Sequence, residues 1–286
     1  MKKYLTLLVF FVFCSYGELR RFDTSIDNSK WSVIEATPIT CTMEHNIQGF
    51  GTAFFSSFAS KSPNMSFKLN MLARPNQVTE VSLISRAPSW RAGVLDHHLL
   101  DLQFQKYNDA EISSRVSWAM LSELESGMMP TFFYSDWSSP KVKVAVGLSP
   151  ANFKIAYEEF KDCLSGLLKY NLKDYSFLVL NYTRMLEFSR ESAVDLEKIK
   201  NYLAVDADLL KVEIDVYTDS YGGYEANRRV AVARRKQLVN FFVENGVDED
   251  IIVAKQHIMD NYIDSNSTAF GRFKNRRAVV KIHKMY

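Results

Sequence analysis

Asp219 and Arg234 are the residues whose types and spacing promise chemistry in this chain. They stand fifteen positions apart. The aspartate lies in the run Val216-Tyr217-Thr218-Asp219-Ser220-Tyr221-Gly222-Gly223, and the arginine closes the stretch Asn227-Arg228-Arg229-Val230-Ala231-Val232-Ala233-Arg234. A carboxylate and a guanidinium held side by side can grip both ends of a ligand that carries an ammonium and a carboxylate. The arginine presents a bidentate fork to the ligand's carboxylate. The aspartate accepts from the ammonium, and Thr218 and Asn227 can add hydrogen bonds at the flanks. The same two side chains could instead pair only with each other, or cap the helix, and residue chemistry leaves those alternatives open.

The elements around the pair must place them. Val212, Ile214 and Val216 alternate with Glu213, Asp215 and Tyr217, which predicts a half-buried strand that delivers Asp219 just past its carboxyl end. Gly222-Gly223 permits a sharp turn into a helix over residues 226–244, ended by Asn245-Gly246. Asn227 and Arg234 are seven residues apart on that helix, within ~20° of one another, so both can face the strand end. Ligands of α/β sheets sit at such strand ends. Upstream, Phe177–Tyr182 reads as a strand, and Ser192 with Asp195 looks like a capping box that starts a helix carrying Leu196, Ile199 and Leu203. Residues 251–255 and 277–283 complete a β-α-β-α-β-β order with helices on one face of a small mixed sheet.

The first half differs. Residues 31–148 read mostly as short strands with period-two alternation, separated by Gly, Pro, Asn and Ser, which argues for an antiparallel sandwich or barrel. Residues 150–168 carry Phe153, Ala156, Tyr157, Phe160, Leu164 and Leu167 at helical spacing. The fold class is thus α+β, with a β-rich domain over 18–170, closed by a helix, and a second domain over 171–286.

The chain begins with Lys2, Lys3, an apolar run from Leu5 to Phe13 and the small-residue site Ser15-Tyr16-Gly17. That is the plan of a secretory signal peptide over 1–17, too short to span a membrane. Bulky Phe13 before Cys14 argues against lipidation. The chain has 35 Lys and Arg against 33 Asp and Glu, and loss of Lys2 and Lys3 balances them. The arginines at 228, 229, 234 and 235 are therefore a local cluster, which speaks against a nucleic-acid partner. Export would leave Cys41 and Cys163 in an oxidising compartment, where a disulfide closing a loop of more than a hundred residues is expected over two free thiols.

With Thr218-Asp219, Gly222, Asn227, Arg234 and Asn275-Arg276-Arg277 in place, the C-terminal part resembles the OmpA-type peptidoglycan-binding domain. The resemblance implies an OmpA-like βαβαββ sandwich in which Asp219 meets the ammonium of diaminopimelate in a cell-wall peptide stem and Arg234 its carboxylate. Thr218, Asn227 and Arg277 match further positions of that motif. The chain departs from the family at Val216-Tyr217, where Gly-His is usual, at Val230-Ala231 and at Arg235. Taken with the exported β-rich first domain and the two cysteines, the whole chain resembles the MotY family of the sodium-driven polar flagellar motor. That resemblance implies a periplasmic, non-enzymatic component. Its first domain would join the flagellar basal body and act with a MotX-like protein and the sodium-type stator complex. A general wall-binding envelope protein is the alternative, and a wall-acting enzyme using Asp219 is a third.

No nucleophile elbow, phosphate loop or zinc-protease motif is present, and no cofactor is implied. His97 and Asp101 are four apart, which suits one helix face, yet no third metal ligand accompanies them at a telling spacing. Phe54-Phe55 and Phe132-Phe133-Tyr134 are expected in the core.

Overall fold

A computed structural model describes residues 18–285. The expected signal peptide lies outside the described residues. The chain divides into two compact units. The first holds the residues up to Ala36, Thr42–Ser57 and Asn64–Asp162; the second holds Thr37–Cys41, Phe58–Pro63 and the chain from Cys163 onward.

In the first part, ten strands run in order: β1 (Leu19–Phe22), β2 (Trp31–Ala36), β3 (Thr40–Ile47), β4 (Gly51–Phe58), β5 (Ser66–Met71), β6 (Thr79–Arg86), β7 (His97–Phe104), β8 (Ala110–Ile112), β9 (Met129–Ser135) and β10 (Lys143–Gly147). Helix α1 (Ser114–Glu125) precedes β9, and α2 (Phe153–Gly166) follows β10. The strands form two five-stranded sheets, β1-β10-β9-β6-β7 and β2-β3-β4-β5-β8. The pairs β10–β9, β9–β6 and β6–β7 are antiparallel, as are β4–β5 and β5–β8, whereas β1 joins β10 in parallel. Strict alternation fixes which side is core: β4 buries Gly51, Ala53, Phe55 and Ser57 and turns Phe54 outward. Phe67 of β5 stacks on Phe132 of β9 at 5.7 Å, which joins the inner faces of the two sheets. The sequence shows the strands but not α1, whose buried Met120, Leu121 and Leu124 are too few to stand out against the surrounding strand pattern.

The run containing His97 and Asp101 is strand β7, not a helix. On a strand the two side chains do not form the one-turn pair that a helix would make. His97 instead meets Glu123 at 2.8 Å, and His98 meets Asp101 at 2.9 Å. Among the described residues, no group of three or more His, Cys, Asp or Glu side chains is gathered to hold a metal. Likewise, among those residues no helix is long and apolar enough to cross a membrane.

The second unit is built on β11 (Phe177–Asn181), α3 (Arg190–Leu203), β12 (Lys211–Tyr217), α4 (Tyr224–Glu244), β13 (Ile252–His257), α5 (Ala269–Asn275) and β14 (Arg277–His283). The sheet order is β11-β14-β12-β13, with β12–β13 parallel and β14 antiparallel to both β11 and β12. The buried side of β12, Val212, Ile214 and Val216, shares one core with Leu196, Ile199, Leu203, Leu238 and Phe242 from α3 and α4. Each fully buried aliphatic or aromatic side chain here stabilises by ~1.5–3 kcal/mol. Cys41 on β3 and Cys163 on α2 are disulfide-bonded, with 6.0 Å between their Cα atoms, and both belong to the second unit.

Two local expectations need correction. Helix α3 is capped by Ser189, whose hydroxyl accepts from the Ser192 amide, while Ser192 is buried inside the first turn and its hydroxyl accepts from the Asn181 amide. The order also gains α5 between β13 and β14. Its seven residues offer too little periodicity to be read from sequence, but Thr268 caps it through the Gly271 amide.

Candidate functional site

At the carboxyl end of β12 the chain leaves the sheet through Thr218 and Asp219. Thr218 is 1% exposed; its hydroxyl accepts from the Met259 amide at 2.9 Å, and its own amide donates to the His257 carbonyl. The residue is thereby tied to the neighbouring β13 end. Asp219 follows with one oxygen accepting from the Tyr221 amide at 3.1 Å and the other from Arg276 at 2.9 Å. Gly222, at φ +92°, makes the turn that a side chain would strain, and α4 starts after Gly223, which offers no side-chain cap. Asn227 reaches back from the first turn of α4 and donates to the Tyr221 carbonyl at 3.0 Å. Asp219 and Asn227 thus fix the Tyr221 backbone from both sides.

Arg234 lies two turns further along α4 and is 1% exposed. Its guanidinium does not pair with Asp219. It donates to three backbone carbonyls instead: Met185 at 2.7 Å, Arg184 at 3.0 Å and Tyr217 at 3.4 Å. Gln237, one turn on, donates to the Leu186 carbonyl. Helix α4 therefore fastens three successive carbonyls of the 183–187 turn. The guanidinium also lies 4.0 Å from the centre of the Tyr182 ring. Burial lowers the arginine's pKa to about 10, leaving it charged at neutral pH. Three of its five N–H groups are used by carbonyls, and among the described residues no carboxylate is paired with it.

These groups surround a cavity of about 260 Å³ lined by Thr218, Asp219, Asn227, Arg234, Arg276 and the 183–185 turn, among others. Four of the five residues selected from sequence, Thr218, Asp219, Asn227 and Arg234, come together on its wall. Arg277 does not line it. Its guanidinium stacks 3.9 Å from the centre of the Tyr217 ring and donates to the Asn261 carbonyl at 3.0 Å, and Tyr217 in turn stacks on His257 at 4.5 Å. Burial lowers the Arg277 pKa, and its Nη1 has no hydrogen-bond partner.

The residue missed from sequence is Arg276. It occupies the C-cap of α5, immediately before β14, and its side chain reaches Asp219 while its Nε donates to the Tyr182 carbonyl at 3.3 Å. Adjacent residues at a strand start point to opposite faces, so which arginine of the pair meets Asp219 depends on where β14 begins. Nothing in the bare Arg276-Arg277 dipeptide sets that phase. Asn275 beside them is fully buried and holds the 261–266 loop, accepting from the Ile263 and Asp264 amides and donating to the Asp264 carbonyl.

Comparison with known proteins bears on both halves. The family described as the MotY N-terminal domain matches residues 22–169. The chain is 35% identical over 264 residues to the sodium-type flagellar protein MotY of Vibrio parahaemolyticus, covering 92% of this chain and 90% of that one. It is 32% identical over 111 residues to the probable lipoprotein YiaD of Escherichia coli, covering 37% of this chain and 51% of that protein. Among solved structures, the peptidoglycan-associated lipoprotein from Burkholderia pseudomallei matches with a TM-score of 0.32 and 16% identity, over 38% of this chain and 90% of that one. The periplasmic domain of Helicobacter pylori MotB matches with a TM-score of 0.31 and 14% identity, over 38% and 74%. A family match across the first half and a full-length relative at 35% identity together place this chain in the MotY family.

Proposed function

We propose that this chain is a non-enzymatic periplasmic component of a sodium-driven flagellar motor that holds cell-wall peptidoglycan through the cavity around Asp219 and Arg234. The observation that carries the proposal is the state of Arg234. A buried cation is costly unless compensated by charge or by several hydrogen bonds. Here carbonyls take three N–H groups, no carboxylate among the described residues is paired with it, and the side chain borders a cavity with Asp219 on its wall. A ligand carboxylate would complete the arginine, and an ammonium would share Asp219 with Arg276. Both charges occur on the free end of diaminopimelate. The volume lies just under the ~300–1,000 Å³ of pockets that swallow whole small molecules, which suits one end of a larger ligand.

In this proposal Asp219, Arg234, Thr218 and Asn227 contact the stem, and Arg277 supports the neighbouring loop. The wall-binding domain is taken as 171–286 and the partner-binding domain as 18–170. The latter would join the basal body and work with a MotX-like protein and the stator complex to support torque. The cavity lining contains no second carboxylate, no histidine and no lysine, which disfavours acid–base turnover. Sacculus sedimentation tests the wall contact: Asp219→Ala and Arg234→Lys should each reduce co-sedimentation of folded protein. Undiminished retention of both would remove the ligand site. Co-purification with flagellar basal bodies tests the motor assignment, and its absence under conditions that retain the stator would favour a general envelope role.

A further inference from the structure

At the rim of the cavity stands a tyrosine whose exposure is out of keeping with its fixation. Tyr221 is 78% exposed, yet its amide donates to Asp219 and its carbonyl accepts from Asn227. The backbone is therefore set by the two site residues themselves. The Arg272 guanidinium lies 5.8 Å from the ring centre, and Arg272 is in turn anchored to the Asn266 and Ser267 carbonyls at 2.8 and 3.2 Å. Asn266 also accepts from the Ser220 amide and from Asn275, so the turn that carries Tyr221 is linked to the loop that leads into α5, where Arg272 stands. Its side chain keeps most of its surface in water.

An open aromatic face on a fixed backbone, beside a charged donor, suits a flat ligand with polar edges and C–H groups on its face. The electron-rich face of the ring attracts polarised C–H groups, and a tyrosine has only two side-chain torsions to freeze on binding. A pyranose ring has that form. In a wall fragment the sugar is joined to the peptide stem that ends at diaminopimelate, three stem residues away. An extended stem of that length spans at most about 10 Å, which sets how far from the seated ligand end the sugar can lie.

We propose that Tyr221, backed by Arg272, is a stacking platform for an amino sugar of the glycan strand, so that the site reads glycan and stem together. This rests on the stem-binding proposal above. The test uses the full mature chain titrated with two probes, a disaccharide tripeptide ending in diaminopimelate and the same tripeptide without sugar. Wild-type protein should bind the sugar-bearing probe more tightly. Tyr221→Ala should lose roughly tenfold on that probe, the scale of one aromatic anchor, and bind the bare tripeptide as wild type does. Tyr221→Phe should behave as wild type on both. Equal affinity of wild type for the two probes, or an equal loss on both in Tyr221→Ala, overturns the platform. Failure of wild type to bind the bare tripeptide overturns stem binding itself and the platform with it, and an unchanged response of Asp219→Ala identifies that outcome.

Discussion

Arg234 and Arg277 solve the same physical problem and end in different positions. Each is buried, each lies about one ring thickness from a tyrosine, at 4.0 and 3.9 Å, and each donates to backbone carbonyls. Burial lowers the pKa of both. Arg234 nevertheless opens on a cavity that it shares with Asp219, whereas the unpartnered Nη1 of Arg277 is sealed from solvent. The lesson is that a buried cation becomes a candidate ligand group only where space adjoins it. Stacking and carbonyl contacts alone make it a brace for the loops.

The strongest way to break this comparison is Arg234→Ala. Removing it strands the carbonyls of Arg184, Met185 and Tyr217, and should lower stability by about 3 kcal/mol and abolish retention on sacculi. Urea unfolding and sedimentation read the two effects. A variant that keeps either at the wild-type level would separate the structural role from the binding role.

A third buried base extends the comparison into the first unit. His45 is fully buried, stacks on Trp31 at 4.3 Å and contacts the Lys30 carbonyl through Nδ1, while its Nε2 has no partner. Burial pushes its pKa down from 6.5 to about 4. An arginine cannot discharge at neutral pH, but this histidine can. Because the folded value lies below the unfolded one, the unfolded chain takes up the proton first. Stability is complete above about pH 6.5 and falls as pH drops towards 4, by up to about 3 kcal/mol. Urea midpoints between pH 7 and pH 4.5 should show that slope, and His45→Gln should flatten it.

Arg277→Ala should cost about 2 kcal/mol through the lost Asn261 contact and the gap beside Tyr217, while sacculus retention stays near wild type. A loss of retention matching that of Arg234→Ala would erase the distinction between the two arginines. The smallest effect on folding should come from Asp219→Asn, which keeps the acceptor for the Tyr221 amide but removes the charge and the oxygen that accepts from Arg276. Its stability should stay within about 1 kcal/mol of wild type, with retention reduced roughly tenfold, the worth of one charge-assisted contact.

Much of the second unit was legible because each signal came with a partner. The alternation of Val212, Ile214 and Val216 gave the strand, and Asn245-Gly246 marked the end of α4, where Gly246 adopts φ +89°. Spacing on the helix brought Asn227 and Arg234 to one wall. What stayed hidden was three-dimensional. The partner of Asp219 hinges on the starting residue of β14, and the commitment of Arg234 to the 184–185 carbonyls joins residues about fifty positions apart. In the first unit, alternation marked strands without revealing their pairing, and the parallel contact of β1 with β10 joins the two ends of that stretch of chain.

The disulfide between Cys41 and Cys163 bears on how this protein can be cut. The second unit recruits Thr37–Cys41 and Phe58–Pro63 from far upstream, and Ile39 packs on its core. A fragment that begins between the two cysteines keeps Cys163 but lacks its partner, and two such fragments can cross-link through that thiol. A fragment that begins at residue 171 avoids the loose thiol but loses Ile39, Leu168 and Tyr170 from the packing around its core. Under the export proposed above, Cys41 would wait until Cys163 has also emerged. The bond therefore closes late, and an early thiol trap during secretion should capture Cys41 alone.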